Sequence, residues 1–223
     1  TTGGLGYLLV FRNHLKMKRG ALIVIEGVDR TGKSTQARTL VENLNKKNIQ
    51  AEYTNFPARE TDVGKIINSY LQLKNDLSDE VIHLLFSANR WERAKNIIKT
   101  LEAGTTLIVD RYCYSGVAFS AAKGLDLNWC KSPDVGLPKP DKVFFLTMPV
   151  DSIKQRNGFG MERSVAQSKS SYQFRTTFCF LHKHIISPSI YRRHLILRVV
   201  LHILFIHTIV LFDGPISATP RLQ

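Results

Sequence analysis

The residues in this chain of 223 whose types and spacing could do chemistry begin with GVDRTGKST, residues 27–35. The stretch fits G-x-x-x-x-G-K-[ST] in full, with Gly27, Gly32, Lys33 and Ser34 at the fixed positions. Such a loop turns backbone N–H groups and a helix N-terminus onto an anion. Lys33 would reach the outer oxygens of a polyphosphate, the Ser34 hydroxyl is a candidate Mg2+ ligand, and Thr31 and Thr35 complete the cradle. The bland alternative is a glycine turn that starts a helix. Asp29 and Arg30, adjacent inside the loop, put a carboxylate and a guanidinium beside whatever the loop holds.

Further along the chain, TTLIVDRY ends an apolar run in Asp110, a second candidate for Mg2+. A strand-end aspartate can also simply cap the next turn. FPARE and DRY place Arg59 and Arg111 just beyond two apolar runs, where they could clamp a second phosphate group; each could equally be a surface ion pair. In VIHLLFSANRWERA a helical period puts Leu84, Ala88, Trp91 and Ile98 on one stripe, read as the core face. Phe86 and Arg90 fall together on the far side. An aromatic ring one turn before a fork of donors suits stacking a base and bonding the carbonyl at its edge. The competing reading packs Phe86 under a loop and leaves Arg90 solvated.

These residues need a scaffold that brings them to one edge. Four short runs read as buried parallel strands: residues 21–25, 51–55, 105–110 and 142–147. Ala37, Leu40, Val41 and Leu44 at i, i+3, i+4, i+7 predict a helix between the first two, and a longer helical region is expected over 78–101. Strands alternating with helices imply an α/β fold, a mostly parallel sheet covered on both faces. Ligands of such sheets bind at the carboxyl ends of the strands, where the phosphate loop, Asp110 and Arg111 all fall.

Composition narrows the classes. Hydrophobic residues make up 43% of the chain, enough for a globular core. The net charge of +13 would point to a nucleic-acid partner were it evenly spread. There are 24 Lys/Arg and 17 Asp/Glu up to Arg163, and seven against one after it. The excess of seven in the front part suits a protein that holds two polyanionic small ligands as well as one that binds a polymer, so charge does not decide between them; the expectation of small ligands and no nucleic-acid partner rests on the motifs. Cys113, Cys130 and Cys179 form no CxxC pair and are odd in number, which fits a reducing compartment such as the cytoplasm.

With those pieces in place the chain resembles the thymidylate kinase family over residues 18–163, about two thirds of its length. The segments that carry the resemblance are RGALIVIEGVDRTGKSTQ, FPARE, HLLFSANRWE, DRYCYSGVAF and PDVGLPKPD, in the family's order and spacing. The resemblance implies a P-loop nucleoside-monophosphate kinase fold that transfers the γ-phosphoryl of ATP to dTMP, with Mg2+ as cofactor. By the same resemblance Asp29 contacts the sugar 3′-hydroxyl of the acceptor. Arg30 lies near the transferred phosphoryl, Phe86 stacks on thymine, Arg90 contacts the base edge, and Arg59 and Arg111 serve the acceptor phosphate. Phe56, Ser115, Gly116 and Phe119 complete the acceptor pocket. RNGFGMER, residues 156–163, matches the family's lid and places Arg156 against the adenine. A homodimer is the family's habit. Another pyrimidine monophosphate, such as dUMP, remains an alternative acceptor.

After Arg163 the family pattern stops. Residues 164–223 hold five of the seven histidines and one acidic residue, and no metal-ligand spacing. The preferred reading is a divergent tail outside the family fold, which would leave a catalytically impaired nucleotide-binding product as the alternative function. Two other readings concern its apolar run. Residues 195–212 are long enough for a membrane span, although Arg198 and two histidines inside it argue against one. IVLFDG could instead supply a last strand. Residues 1–16 are read as an extension before Met17, with a mitochondrial presequence as the alternative, and residues 17–163 as the kinase core.

Overall fold

The structure, a computed structural model, describes residues 19–27 and 29–146 together with the backbone of 209–212. Five strands form one sheet in the order β2-β3-β1-β4-β5, with β1 Leu22–Gly27, β2 Ala51–Asn55, β3 Thr106–Asp110, β4 Lys142–Leu146 and β5 Ile209–Phe212. β1 pairs in parallel with both β3 and β4, and β2 in parallel with β3. The four expected strands are all present within two residues of their anticipated ends. IVLF forms a strand too, running antiparallel on β4 with Val143 opposite Phe212. The end of the 195–212 run is therefore extended, not helical.

β1 is central because every one of its residues is buried. Its alternating side chains enter two cores, as the strand period demands. Leu22 and Val24 pack with Ile97, Leu101, Val109, Tyr112 and Val117 on one face. Ile23 and Ile25 pack with Ala37, Leu40 and Leu44 on the other. The second core is closed by α1 Lys33–Lys46, whose predicted apolar stripe sits against the sheet. The first is closed by α3 Asp79–Glu102 and α4 Cys113–Ala121.

Three helices were not anticipated, α4 above and two more. α2 Asp62–Leu71 is capped by Thr61, whose side chain accepts from the Gly64 N–H at 3.0 Å. α5 Leu127–Lys131 is capped by Asp126, and a 3₁₀ turn, Ser132–Asp134, follows it.

The apolar stripe assigned to the core on α3 is in fact its outer face: Leu84, Trp91 and Ile98 are 46%, 41% and 45% exposed. The buried face carries His83, Ser87, Asn89 and Arg90 beside Ile82, Ala94, Ile97 and Leu101. Hydrophobicity alone points outward here because the inward polar groups are satisfied by partners from elsewhere in the chain. Asn89 accepts from the Ala58 N–H at 2.8 Å and donates to Thr61 Oγ1 at 2.8 Å. His83 Nε2 donates to the Cys130 carbonyl at 2.9 Å, which leaves Nδ1 to accept from the Ser120 hydroxyl at 2.7 Å. The lid with Arg156, residues 1–16, Met17, Cys179 and the tail histidines lie outside the described residues. Among the described residues no helix is long and apolar enough to cross a membrane.

Candidate active site

The site is built where β1 and β3 end. β1 delivers its last residue, Gly27, at φ 146°, and a Cβ there would lie 2.4 Å from the Leu146 carbonyl oxygen, so only glycine lets the loop leave the sheet. Gly32, at φ 86°, closes the loop as the N-cap of α1. No side chain caps that helix, and a helix N-terminus turns its N–H groups towards an anion. Arg30 and Arg111 are also left-handed, at φ 67° and 66°. A non-glycine residue held there costs on the order of 1 kcal/mol, strain that clusters at functional sites.

Lys33 is buried at the start of α1. Burial first and the Arg111 charge second push its ammonium down to about 7, against opposing attraction from Asp29, Asp110 and Glu26. For Asp29, burial acts to raise the carboxyl, but Arg111, Lys33 and Arg30 override it and hold it below the usual range.

Asp110, the last residue of β3, accepts from the Ser34 hydroxyl and, at 3.3 Å, from the Tyr53 hydroxyl, both on Oδ2. Its other oxygen, Oδ1, is buried without a hydrogen-bond partner. An orphaned carboxylate oxygen beside a serine hydroxyl and a phosphate loop fits a hard divalent cation with oxygen ligands. The donor set thus fits Mg2+.

Arg111 turns back across the loop. Its Nη2 donates to Asp29, and its Nη1 to Ser115 Oγ at 3.0 Å and the Gly27 carbonyl at 3.4 Å. Its guanidinium lies 5.7 Å from the Phe119 ring centre. Ser115 and Gly116 open α4, and Arg90 meets them from α3: a Cβ on Gly116 would sit 3.1 Å from Arg90 Nη2 and 3.2 Å from Nη1. A continuous path therefore runs from Asp29 through Arg111, Ser115 and Gly116 to Arg90. Phe86, one turn before Arg90, is half-buried against Ile67, Tyr70 and Ile82. Phe56 is buried, with its ring tilted 5.7 Å from that of Tyr112 after β2 and β3 respectively. Arg59 is exposed and donates to Asn68 Oδ1 at 2.8 Å. Thr31 is buried in the loop and Thr35 exposed on α1.

Two buried acids were not singled out from the sequence. Glu26, inside β1, accepts the N–H groups of Tyr112 at 2.9 Å and Ser115 at 3.1 Å, and the Ser115 hydroxyl. Those are the orphan donors at the start of α4, so Glu26 ties the phosphate loop to the DRY turn. Desolvation raises its pKa, partly offset by the Ser115 bond and the Arg111 charge. Asp134 takes Arg90 in two bonds, Nε to Oδ1 at 2.9 Å and Nη2 to Oδ2 at 2.7 Å. An acid in the middle of an apolar strand was a signal for the first; for the second the sequence offers only PDVG, 44 residues from its partner.

This geometry has counterparts. The sequence model of thymidylate kinase matches residues 25–186. The human thymidylate kinase is 53% identical over 73% of this chain and 76% of its own length. The Schizosaccharomyces pombe enzyme is 54% identical over 66% and 70%. The solved thymidylate kinase of Candida albicans superposes with a TM-score of 0.67 at 41% identity, over 73% of this chain and 78% of that one. With a family sequence model matched over most of its length and relatives about half identical to it, the chain belongs to the thymidylate kinase family.

Proposed function

We propose that this protein transfers the γ-phosphoryl of ATP to dTMP, giving dTDP. The observation that carries the reading is the unbroken path from the phosphate loop to Arg90, because one acceptor must touch both ends of it. Loop N–H groups and Lys33 hold the outer phosphates of ATP, and Ser34 and Asp110 hold Mg2+, which when bound spreads the charge of the donor phosphates. Arg111 and Arg59 draw the acceptor phosphate in, and Asp29, released from Arg111 by that phosphate, takes the sugar hydroxyl. Phe86 stacks on the base while Arg90 reads its edge. Arg30 faces the transferring group, and Arg156 with the lid residues 156–163 closes over the adenine. Phe56, Ser115, Gly116 and Phe119 shape the pocket walls. Positioning and charge neutralisation then carry the in-line transfer without a covalent intermediate.

The test is an acceptor panel with the full chain, ATP and Mg2+: dTMP should be the best substrate, ahead of dUMP and dCMP. Failure to form dTDP would refute the reading.

We propose a homodimer as well, a reading supported by the outer face of α3. Leu84, Trp91 and Ile98, with Ile66 of α2, leave apolar surface that a second copy would cover. Light scattering should give twice the chain mass, and Leu84→Glu should give a monomer. Cys113 and Cys130 as free buried thiols suit the cytoplasm. Residues 17–163 form the catalytic core in this proposal, with the tail contributing at least an edge strand.

A further inference from the structure

Resting on that reading, the Arg90–Asp134 pair raises a question of its own. Both side chains are buried, 2% and 0% exposed, and taking two charges out of water is expensive enough that an apolar pair of similar volume often serves stability as well. What such a pair supplies better than apolar packing is orientation. A guanidinium is planar with its donors in fixed directions, and Asp134 holds two of its three nitrogens, Nε and Nη2. Ser87 Oγ lies 2.7 Å from the same Oδ1 that accepts Nε, which fixes the carboxylate in turn. Gly116 of α4 lies against the same guanidinium: a Cβ there would come within 3.1 Å of Nη2 and 3.2 Å of Nη1, tighter than side chains ordinarily pack. The nitrogen not held by Asp134 is Nη1, which carries donors only.

We propose that Asp134 is a specificity-determining positioning residue: by holding Arg90 in this one orientation it makes the acceptor pocket accept 4-oxo pyrimidine monophosphates and reject 4-amino ones. A thymine or uracil carbonyl at that position accepts from the fixed donors. A cytosine amino group meets them donor to donor. The carboxylate also neutralises Arg90, so the base is chosen by hydrogen-bond polarity and not by attraction for an anion. A site built to bond a polar group discriminates strongly because its buried partners are left unpaired by the wrong substrate. Asp134 touches no substrate; it acts through Arg90.

The experiment compares kcat/KM for dTMP and dCMP, and KM for ATP, in the wild type, Asp134→Asn and Ser87→Ala. In Asp134→Asn the dTMP:dCMP ratio should fall by about tenfold or more, through a raised KM for dTMP, with KM for ATP unchanged. Ser87→Ala, which loosens the carboxylate without removing its charge, should move the ratio the same way by about threefold. It decides the matter alone should Asp134→Asn fail to fold. An unchanged ratio overturns the proposal, as does an equal loss for both acceptors accompanied by weaker ATP use, which is what general disruption would give. A wild type that does not phosphorylate dTMP refutes the function proposed above and not this inference, because the same ratio read as dTMP and dCMP dissociation constants by calorimetry tests Asp134 without turnover.

Discussion

Lys33 makes the site sensitive to pH in a way that can be measured directly. Its ammonium is pushed to about 7 by burial and by Arg111. Binding of a polyphosphate places several negative oxygens against it and should restore an ordinary lysine, near 10.4. ATP binding at pH 8 should therefore take up about 0.9 proton, since roughly ten elevenths of the lysine is neutral beforehand. At pH 6, where the group is already charged, uptake attributable to Lys33 falls to about 0.1. Above pH 7 the apparent affinity should weaken by up to about tenfold per pH unit. The sign for folding is the reverse. A lowered folded-state pKa means that the ligand-free protein sheds a proton that the unfolded chain keeps. Lys33 thus adds stability as pH rises from about 7 towards 10, and that contribution is lost as pH falls back through 7. Calorimetric titration of ATP–Mg2+ at pH 8, in two buffers of different ionisation enthalpy, reads the proton count. Lys33→Met should abolish it. No uptake in the wild type, or equal uptake in Lys33→Met, would refute the electrostatic account of the loop.

Other consequences follow from single residues. Arg30→Ala should lower kcat by on the order of 10³-fold while weakening dTMP binding much less, read by steady-state kinetics and acceptor titration. Asp110→Asn removes charge from the oxygen pair that fits the cation, so the Mg2+ concentration for half-maximal activity should rise by about tenfold or more. Glu26→Ala strands two buried N–H groups at the start of α4 and should cost about 3–5 kcal/mol in denaturant unfolding. Glu26→Gln keeps an acceptor oxygen and should cost far less. Because burial raises the Glu26 pKa, the wild-type carboxylate is the costly form, and the stability of Glu26→Gln relative to wild type should improve as pH rises above the ordinary glutamate range.

What the sequence determined by itself was local. The phosphate loop is nine contiguous residues whose backbone geometry is dictated by its glycines, so Lys33, Ser34 and the N-terminus of α1 could be named before any fold was known. The strands were equally legible, because β1, β3 and β4 are buried apolar runs flanked by turn residues. Tertiary structure decided which helix face is inside. α3 has an apolar stripe and a polar stripe, and only the positions of Ala58, Asp134 and Cys130 make the polar one the buried one. It also decided the partnerships that aim the site. Glu26 meets Tyr112 and Ser115, and Arg90 meets Asp134, across separations that no periodicity encodes. Local motifs state what chemistry is available, but orientation comes from contacts between distant segments, and those exist only once the sheet has brought the segments together.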